Sequence, residues 1–89
     1  MQSKKTLKCW ALIRKKEKIV QEIIADTREE AVLSDTLTEA CRQFDVAVPV
    51  VLSKHRNELA QFRRVVFFPR DFLEPFPYTT LELTVFEEN

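Results

Sequence analysis

The 89-residue chain contains no glycine, and that absence rules out more than any residue present. Glycine enters positive-φ backbone at little cost, while other residues resist it. Glycine-rich phosphate loops, dinucleotide fingerprints and nucleophile elbows all need glycine to bring backbone against a ligand or through a sharp turn. None of them can be built here. Asn57 is the only asparagine before the terminal one. Left-handed turns should therefore be few, and hairpins should close through longer loops rather than type I′ turns.

Periodicity supplies the elements. Thr6 to Arg14 alternates, with Leu7, Cys9, Ala11 and Ile13 on one side and Lys8, Trp10, Leu12 and Arg14 on the other. That is the pattern of a half-buried strand. Lys15-Lys16-Glu17-Lys18 comes next, and Ile19 to Asp26 reads as a second strand. A four-residue loop on a type I turn would oppose Arg14 to Ile19 and Trp10 to Ile23.

Thr27 to Asp45 reads as one amphipathic helix. Leu33, Leu37, Ala40, Cys41 and Phe44 make its apolar stripe, while Arg28, Asp35, Glu39 and Arg42 face away. Thr27 is placed as N-cap, with Glu30 completing a capping box. Val46 to Leu52 is a continuous apolar run of strand length, interrupted by Pro49. A strand–helix–strand link favours a parallel, right-handed crossover. Glu58 to Arg64 is a short helix, capped by Ser53 or Asn57, and Val65 to Phe68 is a short strand. Pro69 to Pro77 is a proline-rich loop. In Tyr78 to Phe86, Leu81, Leu83 and Val85 point inward; Tyr78, Thr80, Glu82, Thr84 and Phe86 point outward.

The expected fold is α+β with two layers, in the order β-β-α-β-α-β-β. It has a mixed sheet of about five strands, one long helix and one short helix. Residues 1–89 form a single small domain, with 1–5 and 87–89 frayed. The longest apolar run is far shorter than a membrane span, and the N-terminal stretch lacks a signal-peptide core. The expectation is a cytoplasmic protein without membrane contact. Cys9 and Cys41 are expected as two buried small hydrophobes; they could pair if the helix crosses the first strand, which a cytosolic setting disfavours.

Charge is balanced overall but comes in blocks: net +6 over residues 1–20, −5 over 21–50, +4 over 51–70 and −5 over 71–89. This topology would bring Arg14, Lys15, Lys16 and Lys18 near Arg63 and Arg64, a basic end able to contact phosphates. Lys54 and Arg56 oppose the dipole at the start of the short helix, which an anion there would relieve. Balanced charge and the lack of a recognition-helix or base-stacking pattern argue against nucleic acid as the main partner.

Chemistry-bearing residues are sparse. His55 is the only histidine, in a polar stretch, while Cys9 and Cys41 point inward, so no nucleophile–base pair is spaced for catalysis. Zinc ligand spacings are missing as well. Asp71, Glu74 and Glu82 read as solvated surface. No catalytic residue, cofactor or metal site is expected, and the chain is not read as an enzyme.

The apolar surplus points elsewhere. Two modest helices cannot cover both faces of such a sheet, and an uncovered apolar face marks an interface unless the proline loop folds over it. The first reading is a non-enzymatic protein-interaction module, self-associating as a homodimer or binding another protein through a sheet face or edge. Trp10, Leu12, Ile23, Tyr78 and Phe86 are its contact residues. The second is an anion or nucleic-acid binder using Lys15, Lys16, Lys18, Lys54, Arg56, Arg63 and Arg64.

Overall fold

A computed structural model describes residues 6–88. The N-terminal stretch expected to fray, and Asn89, lie outside them. Strands β1 (Thr6–Lys15) and β2 (Lys18–Thr27) form a hairpin. A helical region comes next and ends in α1 (Leu37–Phe44). Helix α2 (Ser53–Phe62), β3 (Arg64–Phe67) and β4 (Thr80–Glu88) complete the order. Glu87 and Glu88 belong to β4 rather than to a frayed tail.

The fold is α+β, but its sheet has four strands in the order β2-β1-β4-β3. Every neighbouring pair is antiparallel. The expected fifth strand and parallel crossover are absent among the described residues. Residues 46–52 cross the helix-side core as an irregular segment. Ala47 and Val51 are half-buried and Pro49 is buried, whereas Val48, Val50 and Leu52 are exposed. Proline has no N–H for a ladder, and the Val50 N–H donates to the Asp71 carbonyl at 2.8 Å instead. Period-two alternation here describes a strap lying over a core.

The hairpin also differs from expectation. Lys15 pairs with Lys18, so only Lys16 and Glu17 form the turn, and Lys16 takes φ 59°. Arg14 does oppose Ile19, but the register shifts at the next step and Ile13 faces Gln21. The extra residue, Val20, is a β-bulge, which restores strand twist beside a tight turn. Its consequence is that Trp10 opposes Ile24 rather than Ile23.

The long helix is broken into three kinds of turn. Thr27 is the last residue of β2 and not an N-cap; its hydroxyl lies 2.8 Å from that of Thr36. A 3₁₀ turn spans Glu29–Ala31 and a π-helical stretch spans Val32–Thr36, with Leu33 off helical geometry. The added residue in a π turn rotates the next helical turn about its axis. Ala31 and Val32 are thereby buried along with Leu37, Ala40, Cys41 and Phe44, while Leu33 is only partly covered.

Helix α1 ends in a Schellman motif. Asp45 sits at φ 59°, its N–H donates to the Arg42 carbonyl, and the Val46 N–H donates to the Cys41 carbonyl. Arg63 closes α2 with φ 58° and a single bond to the Leu59 carbonyl. Lys16, Asp45 and Arg63 therefore occupy the left-handed region that glycine would ordinarily take. A left-handed residue with a Cβ costs about 1–2 kcal/mol.

The core lies on one side of the sheet. Cys9, Ala11 and Ile13 of β1, Leu81, Leu83 and Val85 of β4, and Val65 and Phe67 of β3 meet α1 there. Phe72 and Phe76, from the loop over residues 68–79, stack at 4.1 Å and join the same cluster, with Tyr78 edge-on to Phe76. This loop thus covers the helix side and leaves the opposite face alone.

Asp45→Gly removes left-handed strain at a position whose side chain is exposed. The expected outcome is a gain of about 0.5–1 kcal/mol in unfolding free energy, net of the entropy glycine adds to the unfolded chain. Urea denaturation monitored by circular dichroism measures it.

Candidate functional site

The helix-free face is built from cross-strand rows. From β2 to β3 they read Ile24–Trp10–Thr84–Arg64 and Glu22–Leu12–Glu82–Val66, flanked by Asp26–Lys8–Phe86 on one side and Ile19–Arg14–Thr80 on the other. Trp10, Leu12 and Phe86 share it as expected. Ile23 does not, because the Val20 bulge turns it toward the helix side, where it packs on the core. Tyr78 lies in the loop against Phe76. Ile24, 63% exposed, takes the place assigned to Ile23, and Phe62 at 65% borders the face beside Val66. The bulge was the missing signal for Ile24.

The face is less apolar than the alternation implies. Leu12 stands outside the core cluster, yet only 2% of it is exposed. It lies between two carboxylates, each held by hydrogen bonds. The Trp10 indole N–H donates to Glu22 at 2.8 Å. Glu82 accepts from Arg14 Nε at 2.8 Å, Arg64 Nη2 at 2.7 Å and Thr80 Oγ1 at 2.9 Å. Glu82 is buried, which corrects its reading as solvated surface. Burial alone would push its carboxyl pKa up; the bonds from Arg64, Thr80 and Arg14 outweigh that and hold it below the ordinary carboxylate value.

The expected basic end does not assemble: β3 starts at Arg64, opposite Thr84 and level with Trp10, so Arg63 and Arg64 lie away from the hairpin tip. Arg14 and Arg64 share Glu82, and Arg63 pairs with Glu29 at 2.8 Å. Lys15 Nζ donates to the Pro77 carbonyl. Lys16 and Lys18 remain exposed at the hairpin tip, beside an open hollow of about 770 Å³ that Ile19 and Val20 also line. Lys54 and Arg56 are exposed on the first turn of α2, away from the tip; Arg56 faces Glu29 and Glu30 across a hollow.

His55 is not in a polar loop. It is the third residue of α2, 1% exposed and 4.5 Å from the Phe67 ring. Its Nδ1 accepts the Leu52 N–H at 2.9 Å, while its backbone N–H donates to the Leu52 carbonyl. Asp71 makes the same reciprocal pair with Phe68, and its Oδ2 lies 3.6 Å from His55 Nε2. The two helix starts thus lie back to back without a hydrogen bond between them, and His55 Nε2 is buried with no hydrogen-bond partner among the described residues. Asp71 is buried there, not solvated, whereas Glu74 is exposed as expected.

Among the described residues, no group of three or more His, Cys, Asp or Glu side chains could hold a metal ion. No described helix is long and apolar enough to cross a membrane. Cys9 and Cys41 are fully buried, and burial pushes both thiols up to about 11.

These features define a small α+β protein with one sheet face packed and the other carrying a bridged, half-apolar surface. No protein-family model, curated protein or solved structure matches the chain.

Two outcomes test this geometry. The Glu82 pKa is depressed in the fold, so its stabilisation is present at neutral pH. It is lost as pH falls from the ordinary value of 4.5 through the folded-state one. Glu82→Gln should lower unfolding free energy by about 1–3 kcal/mol at pH 7 and flatten that acid limb. Both readouts come from urea titrations between about pH 3 and 7. The thiols should resist a disulfide-exchange reagent for many minutes at about pH 8 and react at once in denaturant; rapid labelling of the folded protein would contradict the burial of Cys9 and Cys41.

Proposed function

We propose that this chain is a small non-enzymatic protein-interaction module that associates with a second copy of itself. The observation that carries the reading is the one-sided covering of the sheet. Helix α1 and the loop over residues 68–79 both contribute to the same core, so Trp10, Ile24, Val66 and Phe86 are left around the Leu12 row without a layer above them. Half-exposed apolar groups interspersed with paired charges give the mixed apolar and polar composition of a non-obligate protein interface. The paired charges also explain how such a face stays soluble when free.

Phosphate binding has less support, because three of the basic residues named for it, Lys15, Arg63 and Arg64, already have partners within the fold. The remaining tip lysines are better suited to steering an acidic protein surface than to enclosing an anion.

Light scattering coupled to size-exclusion chromatography, at low and at high salt, tests the reading. The expected result is a concentration-dependent dimer that persists in part at high salt. A monomer at both salts up to roughly 100 μM, where a micromolar complex would form, overturns self-association.

A further inference from the structure

Strand β2 is the long edge of the sheet. It pairs with β1 on one side, and no described strand pairs with the other. An open edge is a template for another strand. Proteins blunt such edges with charge and bulges, and β2 does so near its start, through Lys18 and the Val20 bulge. From Gln21 to Thr27 it is regular.

Charge along this edge is polarised. The hairpin end carries Lys16 and Lys18, both exposed, with one exposed carboxylate, Glu17, between them. At the other end, Asp26, Asp35 and Glu39 surround a hollow of about 230 Å³ with Ile23, Ala25 and Thr36. Glu39 is occupied by Arg42 and Gln43, and Asp26 by Lys8. Asp35 is exposed and forms no ion pair among the described residues; the same holds for Lys18. An edge that is basic at one end and acidic at the other is complementary to itself when two copies run antiparallel about a two-fold axis.

The faces agree as well. A two-fold axis perpendicular to the sheet keeps the helix sides of both copies together. Lys18 is the cross-strand partner of Lys15, which reaches the Pro77 carbonyl in the loop covering the helix side. Lys18 therefore projects to the side on which Asp35 lies. Centring the axis on Glu22 would set that carboxylate against its own copy. Centring it on Ile23 opposes Ile23 to Ile23, and Gln21 to Ala25. Because the bulge takes up one residue, Lys18 then falls opposite Thr27, whose hydroxyl is bonded to that of Thr36, next to Asp35.

We propose that the β2 edges of two copies pair antiparallel about Ile23 to form one continuous eight-stranded sheet, with Lys18 of each copy facing Asp35 of the other. This inference rests on the self-association proposed above but places the contact at the β2 edge, which leaves the helix-free faces of both copies open on one side of the joined sheet.

A charge exchange tests it by sedimentation equilibrium. Lys18→Glu and Asp35→Lys should each weaken association about fivefold per pair, and two symmetric pairs make that roughly 25-fold. The double variant should return to within about threefold of the parent. Both positions are exposed, and circular dichroism checks that each variant folds. Amide exchange in β2 should also slow as protein concentration rises. A dimer that ignores the exchange, or a double variant as weak as the singles, overturns the edge contact while leaving self-association standing. A dimer lost in Phe86→Lys but unchanged by the exchange does the same, and moves the contact to the face. A monomer at every concentration overturns both.

Discussion

The sheet depends on β4. Strands β1 and β3 never touch as a ladder; each pairs with β4, which runs between them. Its inward residues Leu81, Leu83 and Val85 are the middle row of the core. On the other face, Glu82 repeats the same bridging in side chains, drawing Arg14 from β1 and Arg64 from β3 onto one carboxylate. A buried charge is costly unless all its bonds are made, and here Arg14, Arg64 and Thr80 make them. Register on both sides of β4 is therefore specified twice, by the alternation of apolar groups and by a polar node that tolerates no slip of one residue.

Covering is uneven because the helices are short. With α1 only 8 residues long, part of the core face needs other material. The strap over residues 46–52 and the stacked Phe72 and Phe76 supply it. These irregular segments are held by polar contacts in place of a ladder. His55 and Asp71 each close their own helix start and lie 3.6 Å apart, and the Val50 N–H joins the strap to the Asp71 carbonyl. Nothing of that size is left for the opposite face, whose charges are instead paired within the sheet plane.

Much of this was legible in the sequence where neighbours in the chain are also neighbours in space. The facing of the side chains along β1 and β4 and the stripe Leu37, Ala40, Cys41, Phe44 survive, although Leu12, Thr80 and Glu82 on the other face are buried too. What failed depended on contacts distant in sequence or on a single inserted residue. Val46 to Leu52 has strand composition, but no partner strand lies beside it among the described residues. Ile23 and Ile24 exchange roles because of one bulge. His55 looks polar by its neighbours Lys54 and Arg56, yet its ring is buried on Phe67 and Asp71, which come 12 and 16 residues later. Trp10, Leu12 and Phe86 were placed on the helix-free face by alternation alone, whereas Tyr78 precedes the ladder and is governed by its loop.

The central place of β4 has a consequence for how the chain meets its surroundings while it is being made. Synthesis adds about 5–20 residues per second, and β4 comes after every other described element. Until it emerges, Cys9, Ala11 and Ile13 on one side and Val65 and Phe67 on the other have no strand between them. Before β4 joins, the β1–β2 hairpin and the single strand β3 would each present an open, apolar inner edge, a form readily captured by chaperones or by another unfinished chain. That exposure is set by the order of the strands along the chain and is independent of how stable the finished fold becomes.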